Sequence, residues 1–484
     1  MYGSIPVLRL PRWVTTYAAT TYFFALAIVS LIYLSHCLPW YFMVSGGLSV
    51  TLFFLYGRQL TREMSVRNVR KPSNFAYRVF VLSFILRIAT VLMLYWIFLW
   101  YYDHPFGFED ADATYYDSLG AFVADLMRDG NFHFYTEIAR WSGHEDVSDM
   151  GYGIYLGLVY LLTGRSVLAA RVLKCVWSSL TVVLVYRLAQ RNFGEQIARV
   201  AALFCALWPN FWYYCTAHLK ETEMVFLIVL YIEQADQMLR SRQFTAWKII
   251  PVLLIAALIF TFRTPLGLVA LLALVSALVM SSSRIVSWGK RVIVGLLAVT
   301  LIGVGAGERI EERVNILIEK VRGGEQRSNM EWRSEREHGN VFARYASSAV
   351  FAPMIFTLPF PTMVEPYEGQ YAQQMLNGGN YIKNIMSFFT ILALFTLLLS
   401  GYWRNHALIL GVTLGYVVVL TLSSFAHSER FHQPVMPFEF IFMAYGLTVA
   451  MTDKKYKRWF FWWCGIMLLA AVLWNLFKMK GQGV

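Results

Sequence analysis

Apolar stretches of about 20 residues, enough to cross the hydrocarbon core of a bilayer, recur from one end of this chain to the other. They include residues 16–34, 79–100, 167–188, 225–239, 381–399 and 459–477. One soluble core cannot bury so many helices that are apolar on most sides. With 57% hydrophobic and only 15% charged residues among 484, a soluble protein of this length would lack surface charge. An all-α polytopic membrane protein is expected. The first run is followed at once by another over 37–57 without a small-residue cleavage site. A retained helix is therefore expected there, not a removed signal peptide. Cys37, Cys175, Cys205, Cys215 and Cys464 lie in apolar segments with no CxxC or metal spacing, and read as small core residues.

The net charge of +12 is compatible with nucleic acid, but its distribution argues for topology instead. Arg58, Arg62, Arg67, Arg70, Lys71 and Arg78 fall between the second and third spans. Further clusters are Arg187, Arg191 and Arg199; Arg240, Arg242 and Lys248; Arg284, Lys290 and Arg291; and Lys454, Lys455, Lys457 and Arg458. The positive-inside rule makes these loops cytoplasmic, together with Arg9 and Arg12, and leaves no nucleic-acid partner to expect. About thirteen spans keep this alternation. Residues 102–150 then face outward, carrying eleven Asp and Glu against two Arg. A second outward segment, 308–380, is nearly balanced in charge, and its stretch 325–344 is expected to be a solvated helix and turn. No internal repeat is evident, which argues against an inverted-repeat transporter.

The first outward segment concentrates the chemistry. Glu109, Asp110, Asp112 and Asp117 fall within nine residues. Paired carboxylates suit two tasks: holding a hard divalent cation such as Mg or Mn through oxygen, or taking a proton from an acceptor nucleophile. A hydrated acidic loop is the plain alternative. After them, "YDSLGAFVADLMR" places Leu119, Phe122, Val123, Leu126 and Met127 at helical spacing, with Asp117, Asp125 and Asp129 off that stripe. This predicts an amphipathic helix along the membrane face. "MGYGIYLGLVYLLTG" is apolar but too short to span, and is expected to be interfacial or re-entrant.

The runs "DATYYDSLG", "GYGIYLGLVYLLTGRSVLAARVLKCVWSSLTVVLVYRLAQRNFG", "ARVAALFCALWPNFWYYCTAHLKETE", "FTFRTPLGL" and "SERFHQPVMPFEFIFMAYGL", in this order, resemble the GT-C superfamily of membrane glycosyltransferases. The similarity is to its bacterial branch related to protein O-mannosyltransferases and lipid A aminoarabinose transferases, and covers most of residues 79–450. It implies an inverting transfer of sugar from a polyprenyl-phosphate-linked donor to a glycan, lipid or protein acceptor. The reaction would run on the outer face of a bacterial inner membrane. It also implies that an acidic residue of the first outward loop activates the acceptor. An Asp followed three or four residues later by Tyr matches Asp112 with Tyr115 and Tyr116, so Asp112 is the expected catalytic carboxylate. Asp110 or Glu109 is then the second acid, for metal or acceptor. The family's His-Pro-Pro is replaced here by "SDMGYG", so no residue carries over from it.

The donor phosphate needs cations, because charge grows on the leaving group. Lys220, Arg263 and Arg430 are the candidates, and the resemblance adds Arg171, which matches an arginine of the family in "AAR"; Tyr116 and Glu221 are in support. Each cation lies at or near membrane depth, where burial is expensive. Pairing of Lys220 with Glu221 or Glu223, and of Arg430 with Glu429, are the structural alternatives; Arg263 can instead snorkel to the interface. On this reading residues 1–78 are two N-terminal transmembrane helices and a basic cytoplasmic loop. Residues 79–307 form the GT-C-like core, 308–380 an acceptor-binding outward loop, and 381–484 the C-terminal transmembrane helices. Two alternatives stay open: a polymerase or ligase of polyprenyl-diphosphate-linked glycans, and a lipid-linked glycan transporter or flippase without chemistry.

Overall fold

The computed structural model describes residues 9–67, 72–143, 148–241, 245–282, 289, 354–365, 371–423, 426 and 428–480. Its regular structure is helical, and no strand occurs among the described residues beyond an isolated bridge between Cys37 and Val364. Six described helices are long and apolar enough to cross a membrane, and five shorter apolar ones accompany them. The protein is an all-α polytopic membrane protein. The sequence's larger count of spans includes chain outside the described residues, as does the stretch 325–344. The residues form two compact units, one of residues 60–271 and 433–441, the other of 9–59, 272–432 and 442–484.

The first unit holds α3 (Gly57–Arg67) in part, α4 (Pro72–Tyr102), α5 (Asp110–Arg128), α6 (Phe134–Ser142) and α7 (Met150–Thr163). It continues through α8 (Val167–Phe193), α9 (Glu195–Leu207), α10 (Pro209–Thr216), α11 (Glu221–Arg240) and α12 (Ala246–Phe262) into α13 (Thr264–Met280). Two acids inside α11 stabilise its far end. Glu233 and Asp236 each pair with Arg191 at 2.9 Å, and Asp236 also takes Arg240 at 2.9 Å.

α9 and α10 make one passage broken at Trp208, whose backbone is extended. Pro209 opens α10, where its missing N–H costs nothing. The break frees the last carbonyls of α9, on the buried residues Cys205 and Ala206. Arg87 of α4, fully buried, meets them: its Nη2 donates to Cys205 O and its Nη1 to Ala206 O, both at 3.3 Å. Trp212 Nε1 adds a bond to Ala206 O at 2.8 Å. Ser178 Oγ and Ser83 Oγ, each at 2.6 Å, take the remaining Arg87 donors. The negative end of the α9 dipole thus hosts a buried cation for which no carboxylate lies within ion-pair distance among the described residues.

In the second unit α1 (Arg12–Ile32) and α2 (Trp40–Thr51) are followed by the end helices. These are α14 (Tyr371–Met375), α15 (Asn377–Ser400), α16 (Ala407–Leu422), α17 (Glu429–His432), most of α18 (Met436–Ala450) and α19 (Lys454–Lys480). An irregular segment, 354–365, has its backbone satisfied by amide side chains. Asn384 donates to Pro359 O at 2.8 Å, Asn475 Oδ1 accepts from Met363 N–H at 2.7 Å, and Gln374 donates to Val364 O at 3.0 Å. Lys383 of α15 donates to His432 Nδ1 at 2.6 Å, which ties down the short helix carrying Arg430.

Replacing Arg87 by Met is expected to cost about 1–3 kcal/mol for each buried carbonyl left unmet. Arg87→Lys should recover only part, because an ammonium cannot span Ser178 and the α9 end together. Melting temperatures of the three proteins in one detergent check the order wild type, then Lys, then Met.

Candidate active site

α5 and α7 pack face to face through glycines. A methyl added at Gly153 would stand 2.6 Å from the Leu119 side chain, one at Gly157 2.5 Å from Val123, and one at Gly120 2.7 Å from Leu156. Small residues four apart on α7 let the two backbones approach. The expected apolar stripe of α5 is buried here: Leu119 and Val123 join Ile138 and Met150, with Phe122 and Met127 against them. Asp117, expected off that stripe, is instead buried at 5% exposure, because α7 and Arg165 supply its partners.

Ser166 caps α8 by accepting from the Ala169 N–H at 3.2 Å. Arg171 and Lys174 follow on adjacent turns of one face, both 0% exposed. Arg171 Nη2 donates to Pro105 O at 2.5 Å, and its guanidinium lies 5.6 Å from the Tyr95 ring centre. Its Nε and Nη1 are buried without a partner among the described residues. Lys174 pairs with Glu223 at 3.1 Å, donates to Leu219 O, and stands 5.3 Å from the Tyr152 ring centre. Lys220 pairs with Asp149, donates to Phe262 O at 3.1 Å, and stands 6.0 Å from the Tyr116 ring centre. Tyr116 and Tyr152 meet edge to face at 5.0 Å, so the two lysines share one aromatic floor. Buried cations of this kind are stable only when partnered, and unmet N–H groups on a fully buried arginine call for a further acceptor, an ordered water or an anion.

Backbone strain gathers around this cluster. Asp103, Asp149 and Arg165 are the non-glycine residues with left-handed φ among the described residues, at 57°, 78° and 54°. Asp149 pairs with Lys220, Arg165 pairs with Asp117 at 2.7 Å, and Asp103 lies two residues before the Pro105 carbonyl that Arg171 holds. Strain of about 1–3 kcal/mol per residue persists where surroundings over-determine it.

Of the residues singled out by sequence, the fold brings Arg171, Lys220 and Tyr116 into this cluster, and Glu221 is buried beside Lys220 at the start of α11. Arg263 ends α12 directly after Phe262, whose carbonyl Lys220 holds. Arg430 is half-buried in α17 of the second unit. Asp112 is exposed on the first turn of α5, one turn before Tyr116 and on the same side. The side chains of Glu109 and Asp110 lie outside the described residues, and among those described no three His, Cys, Asp or Glu side chains converge to hold a metal. The sequence reading passes over Lys174, Tyr160 and His218, and it offers Glu223 to Lys220, whereas the ion pairs formed are Lys174 with Glu223 and Lys220 with Asp149. Lys174 carried a usable signal, being an ionisable residue inside an apolar span.

Asp117 accepts from Arg165 Nη2 at 2.7 Å and Nε at 3.2 Å, and from the Tyr160 hydroxyl at 2.5 Å. That bond commits the one Tyr160 proton, so His218 Nε2, 3.0 Å away, donates to the Tyr160 oxygen. His218 therefore carries its proton on Nε2, and its buried Nδ1 is a bare lone pair without a partner among the described residues. Burial, then the charges of Lys174 and Arg171, hold the His218 pKa well below the usual histidine value. Arg165 moves the other way, raised by its hydrogen bond to Asp117.

A histidine depressed by folding contributes stability that is complete above its unfolded pKa of about 6.5 and erodes as pH falls below it. The melting temperature in detergent should therefore drop between about pH 6.5 and pH 5. His218→Gln should show a shallower drop. An identical drop in the variant would remove His218 from the account.

No curated protein matches the chain. Residues 151–305 match the family model described as dolichyl-phosphate-mannose-protein mannosyltransferase. The matched stretch contains Arg171, Lys174, His218, Lys220 and Glu223, and the match bears out the resemblance of this chain to the GT-C superfamily of membrane glycosyltransferases.

Proposed function

We propose that the protein is an inverting glycosyltransferase moving a sugar from a polyprenyl-phosphate-linked donor to a glycan, lipid or protein acceptor. It works on the outer face of a bacterial plasma membrane. The observation that carries this reading is the buried cation cluster of Arg171, Lys174 and Lys220, with two Arg171 nitrogens left unmet. A phosphate is the anion such a cluster suits: Arg171 offers a planar fork and the lysines point charges. The surface helices α5 and α7 suit a donor whose tail stays in lipid while its head is polar.

In this reading Asp112 accepts the proton of the acceptor hydroxyl, whose oxygen attacks the anomeric carbon opposite the phosphate. The bond from that carbon to the phosphate oxygen breaks, its electron pair leaves with the lipid phosphate, and the configuration inverts. Arg171, Lys174 and Lys220 hold the charge that develops, in a site where water does not screen it. Arg263 sits at the rim, beside the Phe262 carbonyl that fixes Lys220. Arg430, in α17 of the second unit, is not part of this cluster. Exposure of Asp112 on the α5 turn above Tyr116 leaves it open to an acceptor approaching from water. A divalent cation, if held by Asp110 and Glu109, would supply positive charge to the reaction.

The polymerase or ligase reading keeps the same phosphate site and replaces one sugar by a whole glycan, with residues 308–380 binding the acceptor. A transporter reading leaves Asp112 without a task. Asp112→Asn in purified protein should lower sugar transfer from a polyprenyl-phosphate donor by about 100-fold or more with folding intact. Near-normal transfer would exclude it as base. Arg171→Gln is expected to lower kcat about 100- to 1000-fold, as loss of one charge-stabilising donor does. Removal of metal by EDTA, followed by readdition of Mg or Mn, tests the cation: activity that survives chelation excludes it.

A further inference from the structure

The chain Arg165–Asp117–Tyr160–His218 ends on an atom that the reaction above does not use. His218 is 0% exposed, yet its Nδ1 has no partner among the described residues, and the same is true of the Tyr152 hydroxyl, Glu223 Oε1 and two nitrogens of Arg171. These groups are linked: the His218 ring lies 6.4 Å from Tyr152 and 5.9 Å from Phe106, next after the Pro105 that Arg171 holds, and Lys174, paired with Glu223, stands over Tyr152. Buried polar atoms left open in one place mark where a polar ligand belongs.

Resting on the reading of this cluster as a lipid-phosphate site, we propose that His218 is a ligand of that phosphate. When the phosphate enters, Nδ1 takes one proton from solvent and donates the new N–H to a phosphate oxygen. Nε2–H stays on Tyr160 throughout. As the bond from the anomeric carbon to the phosphate breaks, the phosphate gains its second negative charge, and the imidazolium meets it. The proton returns to solvent when the lipid phosphate leaves.

The charges around His218 explain why the proton arrives only with the ligand. From α8, Arg171 and Lys174 oppose a third positive charge, and Lys220 lies two residues along its own loop. From α11 come Glu223 and Glu221, from α7 Tyr152 and Tyr160, and from α5 Asp117, whose charge is shared with Arg165. Without an anion the cations prevail and the imidazole stays neutral. A phosphate dianion offsets them, and the protonated form becomes the favoured one. Asp117 and Tyr160 hold the ring so that its Nδ1 faces the ligand, as a second layer holds a metal-bound histidine.

Binding that takes up a proton weakens as pH rises, by up to about tenfold per pH unit where a full proton is taken up. The test is calorimetric titration of farnesyl phosphate into the full-length protein in nanodiscs at pH 7.5, in buffers of different ionisation heat. At that pH a phosphate monoester, with its second pKa near 6, can only release protons on meeting cations, so uptake must come from the protein. Wild type should take up about half a proton or more per site. His218→Gln keeps an amide N–H for Tyr160 and loses Nδ1, so it should bind about tenfold more weakly with uptake abolished. Zero uptake by wild type overturns the proposal whatever the variant does, and so does uptake in the variant equal to wild type. Uptake with inorganic phosphate but none with farnesyl phosphate would assign the site to free phosphate and equally overturn it. If wild type binds farnesyl phosphate tightly without uptake, the phosphate site stands and only the role of His218 falls. If it binds no farnesyl phosphate at all, the site reading itself fails.

Discussion

Where no water reaches, every backbone N–H and C=O must find a partner within the protein, and the departures from helix in this chain are built around that demand. The passage made by α9 and α10 breaks at Trp208, and a buried arginine from α4 together with the Trp212 indole meets the carbonyls that the break frees. Segment 354–365 runs without helix and is met by Asn384, Asn475 and Gln374. Side chains spent in this way look functional in a sequence, since an arginine or asparagine at membrane depth is costly. Arg87 has a structural task instead, and its donors are consumed by it.

Arg171 differs in a way that can be counted. One of its nitrogens holds Pro105 O while two others, equally buried, hold nothing among the described residues. Lys174 and Lys220 each have a carboxylate and a carbonyl, and each stands near a tyrosine ring. On the proposed function, the contrast between Arg87 and Arg171 separates a cation that mends the fold from one that takes a ligand. The left-handed residues Asp149 and Arg165, each fixed by an ion pair at this cluster, agree with that separation.

Much of this was legible in the sequence, for physical reasons. Long apolar runs and the 3.6-residue stripe of α5 are one-dimensional signals, so the helical class, the amphipathic α5 and the short α7 follow from them. Lys220 stood out as a charge between apolar runs, and Arg171 through the resemblance alone. Asp117 was visible in the acidic cluster but not as a buried group, because its burial depends on Tyr160 and Arg165, more than forty positions away. His218 was hidden likewise: a histidine between two spans has no periodicity to betray its partner. Glu233 and Asp236, acids near one end of α11, answer Arg191 and Arg240. Pairings across helices are set by packing, and a single sequence does not display them.

The central claim is that the buried cluster around Arg171 and Lys174 holds the phosphate of a lipid carrier. A cryo-EM structure of the protein in nanodiscs with a polyprenyl phosphate added tests it most directly. The account predicts phosphate density within about 3 Å of the open Arg171 nitrogens, with the tail passing into lipid. A phosphate bound elsewhere, with Arg171 still holding only Pro105, would contradict it.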